Sequence, residues 1–103
     1  MKVIWQSNAL RQRTSIANYI RQEFGAKRKI RFLQEVRQIT QQLKSNPGIG
    51  QIDPLFTDRP QTYRSVIING LNKLVYRIND NTIHIVAFWD TRMQPEEQAA
   101  SVK

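Results

Sequence analysis

Four residues in the second half of the chain carry side chains suited to anion chemistry: Arg64, Lys73, Arg77 and His84. A guanidinium stays protonated and can grip two oxygens of a phosphate or carboxylate at once, while an ammonium adds a compact point charge. Histidine has an ordinary pKa of about 6.5, so it can take or give a proton near neutrality. Phosphodiester cleavage needs a base, an acid for the leaving oxygen, and cations for the charge that builds on phosphorus. Arg64, Lys73 and Arg77 would supply the charge and His84 the base. Flanking arginines would depress the histidine pKa and keep the ring neutral. The acid has no assignment; Tyr63 is a candidate, and Tyr76 points to the core. Non-covalent capture of an anionic partner needs the same cations and neither acid nor base.

These residues act together only if their strands pair in the right register. Side chains alternate across a strand, so the turns decide what faces what. With Gly70 and Leu71 at the centre of one turn, Ile68 faces Lys73 and Arg64 faces Arg77. With Asp80 and Asn81 at the centre of the next, Asn79 faces Thr82 and Arg77 faces His84. Arg64, Arg77 and His84 then form one row across three strands, with Lys73 one end along. Like charges directly opposite destabilise a strand pair by some tenths of a kcal/mol, and a bound anion would reverse the sign. Val66, Ile68, Val75, Val86 and Phe88 share that face, an apolar strip beside cations of the kind that marks an interface. The other face holds Ile67, Leu74, Tyr76, Ile78, Ile83, Ile85, Ala87 and Trp89, the expected core. A slip of one residue would send half of these to solvent.

The elements that carry the row follow from pattern. "KVIWQ" reads as a short strand, and Ser7 or Asn8 can cap the helix after it. Leu10, Ile16, Ala17, Ile20 and Phe24 form one apolar stripe, and Gly25 ends that helix. A second helix runs from Ala26, with Ile30, Leu33, Val36, Ile39 and Leu43 as its buried face, and stops at "NPG". A loop follows, with Ile52, Leu55 and Phe56 able to tie it down. Three strands come next, "TYRSVII", "KLVYRI" and "TIHIVAFW", joined by "NGLN" and "NDN", whose Asn and Gly tolerate positive φ. The tail begins a short helix at Pro95. The expectation is an α+β fold: an N-terminal strand, a helical hairpin, then a three-stranded antiparallel meander, with helices on one sheet face.

Totals bound the reading. The 103 residues suit one domain spanning 1–103. Absence of cysteine excludes disulfides and thiolate metal sites, and a single histidine argues against a zinc cluster. No metal or cofactor is expected. The N-terminus lacks the long apolar run of a signal peptide or membrane span, so a soluble cytoplasmic protein is expected. Sixteen Lys and Arg against eight Asp and Glu give a net charge of +8, which suits an anionic partner. "KRKIR", Lys27 to Arg31, concentrates part of that charge at the start of the second helix, where it opposes the helix dipole.

The order of elements, together with "YRSVII", "NKLVYRINDNTIHIVAFWDTRMQPE" and the "NPGIG" break, resembles the RelE/ParE superfamily of type II toxin–antitoxin toxins over nearly the whole chain. The resemblance implies a small basic toxin bound by a cognate acidic antitoxin in a hetero-oligomer, with DNA gyrase or the ribosome and its mRNA as target. Arg64 and Arg77 match the superfamily's sheet-face arginines, and Arg92 the basic position after the last strand. The C-terminal tyrosine or histidine of the RNase members has no counterpart in "MQPEEQAASVK". A ParE-like gyrase inhibitor is therefore the expectation, with a RelE-like mRNA endoribonuclease using His84 as the alternative and a plain nucleic-acid-binding module as a third. The apolar strip is the expected antitoxin contact.

Overall fold

The computed structural model describes residues 1–92 and 94–102, the side chain of Ser101 excepted. Strand β1 (Lys2–Trp5) leads into helix α1 (Ser7–Phe24), then α2 (Ala26–Ser45), β2 (Gln51–Ile52), a 3-10 turn (Pro54–Phe56), β3 (Arg64–Ile68), β4 (Asn72–Asn79), β5 (Thr82–Asp90) and α3 (Pro95–Ser101). One sheet holds the strands in the order β1-β5-β4-β3-β2. The meander is antiparallel as expected, and β1 adds to it in parallel beside β5. Gln6 N–H extends that parallel ladder by donating to Ile85 O at 2.9 Å. The chain therefore turns into α1 one residue before the expected cap, and no side chain caps the helix start.

Both long helices cover one face of the sheet. Gly25, at φ 97°, makes the tight turn between them, a conformation that costs a residue without Cβ little. The buried stripe of α2 is Phe32, Val36 and Leu43, with Ile39 partly buried. Ile30 and Leu33, expected inside, are 56% and 38% exposed, because Phe32 takes the inward position and meets Phe88 edge to face, ring centres 5.9 Å apart. Leu74, Tyr76, Ile83 and Ile85 complete this core from the sheet, as expected.

Two departures from the expected register decide the rest. Asn69 and Gly70 take positive φ and Leu71 joins the loop, so Ile68 pairs with Asn72 and Arg64 with Tyr76. That one-residue difference turns β3 over: Val66 and Ile68 pack into the helix-side core, while Ile67 is 51% exposed. The second departure is a bulge in β5. Tyr76 pairs with Ile85 and Val75 with Ala87, leaving Val86 without a partner. An extra residue reverses the alternation beyond it. Phe88 therefore faces the helices, where Gln12 of α1 accepts its backbone N–H at 2.8 Å. Ala87 and Trp89, expected beneath the helices, lie on the opposite face. The β4–β5 turn forms as expected, with Asp80 and Asn81 at φ 50° and 59° and Arg77 opposite His84.

The opposite face has its own smaller core. Phe56, Tyr63, Val75, Val86, Ala87, Trp89 and Val102 cluster there, so α3 and the 3-10 turn cover part of the side expected to be free of helices. Asp53 and Lys73 form a buried ion pair at 2.6 Å beneath this cover. Arg59 clamps α3 by donating to the carbonyls of Ala99, at 2.7 Å, and Val102, while its guanidinium lies over Phe56.

Candidate functional site at the uncovered end of the sheet

Past the C-terminal end of α3, the far face stays open toward the end of β4 and the start of β5. A cavity of about 320 Å³ opens there, walled by Gln6, Asn8, Arg11, Gln61 and Arg77 over Tyr63, Val86 and Val102. Its cations and the residues between them come from three stretches distant in sequence. Arg11 comes from the second turn of α1, which the parallel β1 carries to this end. Gln61 and Tyr63 come from the segment entering β3, and Arg77 from β4. An adjoining cavity of about 470 Å³ shares Gln61 and Arg77 and runs past Thr62, Ile78 and Asn79 to Arg64. The two form a groove lined by Arg11 and Arg77, with Arg64 at its rim. Guanidinium pairs of this kind attract phosphate or carboxylate oxygens.

The expected row is only half present. Arg77 and His84 face each other across the ladder, and His84 is partly exposed beside Ile4 of β1. Arg64 pairs with Tyr76 instead and sits on the helix face, where it donates to Gly50 O at 2.8 Å. It reaches the groove from the rim, not from within the row. Lys73 is not available to an anion: its ammonium holds Asp53, donates to Gln98 Oε1 at 3.2 Å and lies 5.9 Å from the Trp89 ring centre. Arg92 forms a two-pronged pair with Asp90, at 2.9 and 2.6 Å, which holds the carboxyl below its ordinary pKa and raises that of the guanidinium. Six residues of strand separate Asp90 from His84, roughly 20 Å at ~3.3 Å per residue, so Arg92 belongs to another part of the surface.

The expected apolar strip is not a surface. Val75 and Val86 are buried in the smaller core of the far face, Ile68 and Phe88 are buried in the helix-side core, and Val66 is partly buried against it. The bulge at Val86 and the turn at Asn69–Leu71 divide the strip between the two faces.

Neither tyrosine near the row is placed as a proton donor to it. Tyr63 is 4% exposed, and its hydroxyl donates to Gln61 Oε1 at 2.9 Å. Tyr76 lies on the other face, donates to Pro47 O at 2.7 Å and accepts from Gly50 N at 2.9 Å. Burial pushes its phenol pKa up, partly offset by the Gly50 N–H and by Arg64. This clamp gives "NPGIG" its structural meaning. A Cβ on Gly50 would meet Tyr76 Oη at 2.7 Å and Ser65 O at 2.9 Å, so only glycine fits. The sequence reading missed Arg11 and Gln61. Arg11 is one of several basic residues on a helix, and only the parallel pairing of β1 with β5 brings it to Arg77.

Among the described residues, no cluster of three or more His, Cys, Asp or Glu side chains is placed to hold a metal ion, and no helix is long and apolar enough to cross a membrane. Among curated proteins, none matches the sequence. A solved structure titled "Chromosomal ParDE TA system from P. aeruginosa" shares the fold, with a TM-score of 0.70, 16% identity, and coverage of 87% of this chain and 95% of that one. The family model described as "ParE toxin of type II toxin-antitoxin system, parDE" matches residues 3–95. The chain therefore belongs to the ParE toxin family of type II toxin–antitoxin systems.

Proposed function

We propose that this toxin arrests bacterial growth in the cytoplasm by binding DNA gyrase without covalent chemistry, through the groove of Arg11, Arg77 and Arg64. The observation that carries this reading is the broken row. His84 keeps Arg77 as its neighbour, but Arg64 does not lie opposite that arginine, and the Tyr63 hydroxyl, the candidate acid, is buried and donates to Gln61. An RNase of the kind weighed above needs all three functions in one place. A binding surface needs only the cations and a concave seat, and the groove has both. The antitoxin that the family implies would neutralise the toxin by binding it.

The test runs two assays on one preparation. Purified toxin should inhibit gyrase supercoiling and leave translated mRNA uncut. Arg77→Glu should abolish the inhibition, and His84→Ala should leave it intact. Ribosome-dependent mRNA cleavage that disappears in His84→Ala would replace this reading with the RNase one.

A further inference from the structure

At the opposite end of the sheet from Arg77, the tip of the helical hairpin and the β3–β4 turn enclose a groove of about 470 Å³. Ile20 and Phe32 form its floor, Phe24 and Leu71 its two lips, and Arg28 and Arg31 its rim. The lips are unusually exposed for such residues: Phe24 is 56% and Leu71 55% exposed, and Tyr19, which meets Phe24 edge to face, is 52% exposed. Apolar surface gathered around a concavity, and not scattered singly, marks a place where something docks. The groove is also pre-formed. Glu35 ties its sides together by pairing with Arg31 at 3.3 Å and accepting from the Asn69 amide of the turn. The Arg28 guanidinium lies 5.3 Å from the Phe24 ring centre, which fixes the charge above the apolar lip.

Charge selects the occupant. Residues 21–31 carry Arg21, Lys27, Arg28, Lys29 and Arg31 against Glu23 alone. The floor is aliphatic and aromatic, and a phosphate backbone brings no apolar group to fill it. An acidic polypeptide with a large apolar side chain fits both features. We propose that this groove receives an acidic segment of the antitoxin, which inserts an aromatic or branched side chain between Phe24 and Leu71 and sets carboxylates against Arg28 and Arg31. The inference rests on the family's antitoxin partnership. It places that contact on the hairpin tip, away from the groove of Arg11 and Arg77.

Calorimetric titration of purified toxin with its cognate antitoxin tests the inference. Phe24→Ala should weaken binding by about 10–100-fold, as loss of a central aromatic anchor does. Arg28→Glu reverses the charge at one exposed position and should weaken binding about tenfold at low salt and less at high salt. Both variants should melt like the wild type, and in cells the antitoxin should no longer rescue growth from either. Affinities within about twofold of wild type for both would overturn the proposal. So would loss of duplex DNA binding in these variants with antitoxin affinity intact, which would make the groove a nucleic-acid contact. If wild-type toxin fails to bind the antitoxin at all, the partnership itself fails and the groove's assignment falls with it.

Discussion

Replacing Tyr76 by Phe removes one oxygen atom from a fully buried position and tests the link between the sheet and the loop after α2. The hydroxyl donates to Pro47 O and accepts from Gly50 N–H, so the variant leaves a carbonyl and an amide without partners inside the protein. Leaving a buried polar group unsatisfied costs about 1–3 kcal/mol. Pro47 is only partly buried and water can reach its carbonyl, so Gly50 N–H should dominate, giving a loss of about 2 kcal/mol. At ~4–8 °C per kcal/mol for a domain of this size, the melting temperature should fall by about 8–16 °C. Urea denaturation followed by circular dichroism measures the same loss. Alkaline pH gives an independent reading. Burial raises the phenol pKa in the fold, so above the ordinary tyrosine value, about 10, the unfolded chain loses its proton first. Wild-type stability should therefore fall as pH rises from about 10 toward the folded-state pKa, and Tyr76→Phe should lack that component. Tyr63→Phe is the control, because its hydroxyl donates to the exposed Gln61 side chain. A Tyr76→Phe variant within 0.5 kcal/mol of wild type, on the scale of an ordinary surface change, would refute the clamp.

Three other outcomes follow from the packing. Phe88→Ala should cost about 3–5 kcal/mol in urea unfolding, because the ring is buried against Trp5 and Phe32; a loss typical of a surface site would put Phe88 back on the open face. Lys73→Ala should cost about 3–5 kcal/mol by stranding the Asp53 carboxylate, and the double variant Lys73→Met with Asp53→Leu should recover much of it, as scored by thermal melting. Asp90→Asn should lower the urea midpoint slightly at pH 7, and the difference from wild type should shrink as pH falls below the ordinary carboxylate range. Arg92 depresses the Asp90 pKa, so the stability that pair adds is present above the ordinary carboxylate range and lost as pH falls through the folded value.

Local chemistry announced much of this fold. Gly25 and the "NPG" at Asn46–Gly48 bound the helices, and positive-φ residues at Asn69–Gly70 and Asp80–Asn81 mark the hairpins. The second hairpin's register follows once its turn is taken as two residues, and Asp80 and Asn81 do turn in two, placing Arg77 against His84. The first was not legible, since "NGLN" admits more than one loop length and the choice depends on Thr91 reaching back to donate to Leu71 O. The bulge at Val86 was equally hidden. "HIVAFW" is apolar on both sides around it, so alternation has no polar residue with which to report a change of phase. Those two events moved Arg64 out of the row and the strip into the cores. Arg11 was invisible for a different reason: it reaches the groove through a parallel strand pair that joins the two ends of the sequence.

That pairing has a consequence for synthesis. β1 is the first element made and β5 nearly the last, yet they lie side by side, with Ile4 next to His84 and Trp5 next to Ile85. A chain emerging from the ribosome holds β1 without a neighbour and α1 without a sheet to cover until β5 is out. Contacts between distant parts of a chain form late, after the entropy of closing the intervening loop has been overcome. Arg11 thus waits for Arg77, and the groove takes shape only once β1 and β5 lie side by side.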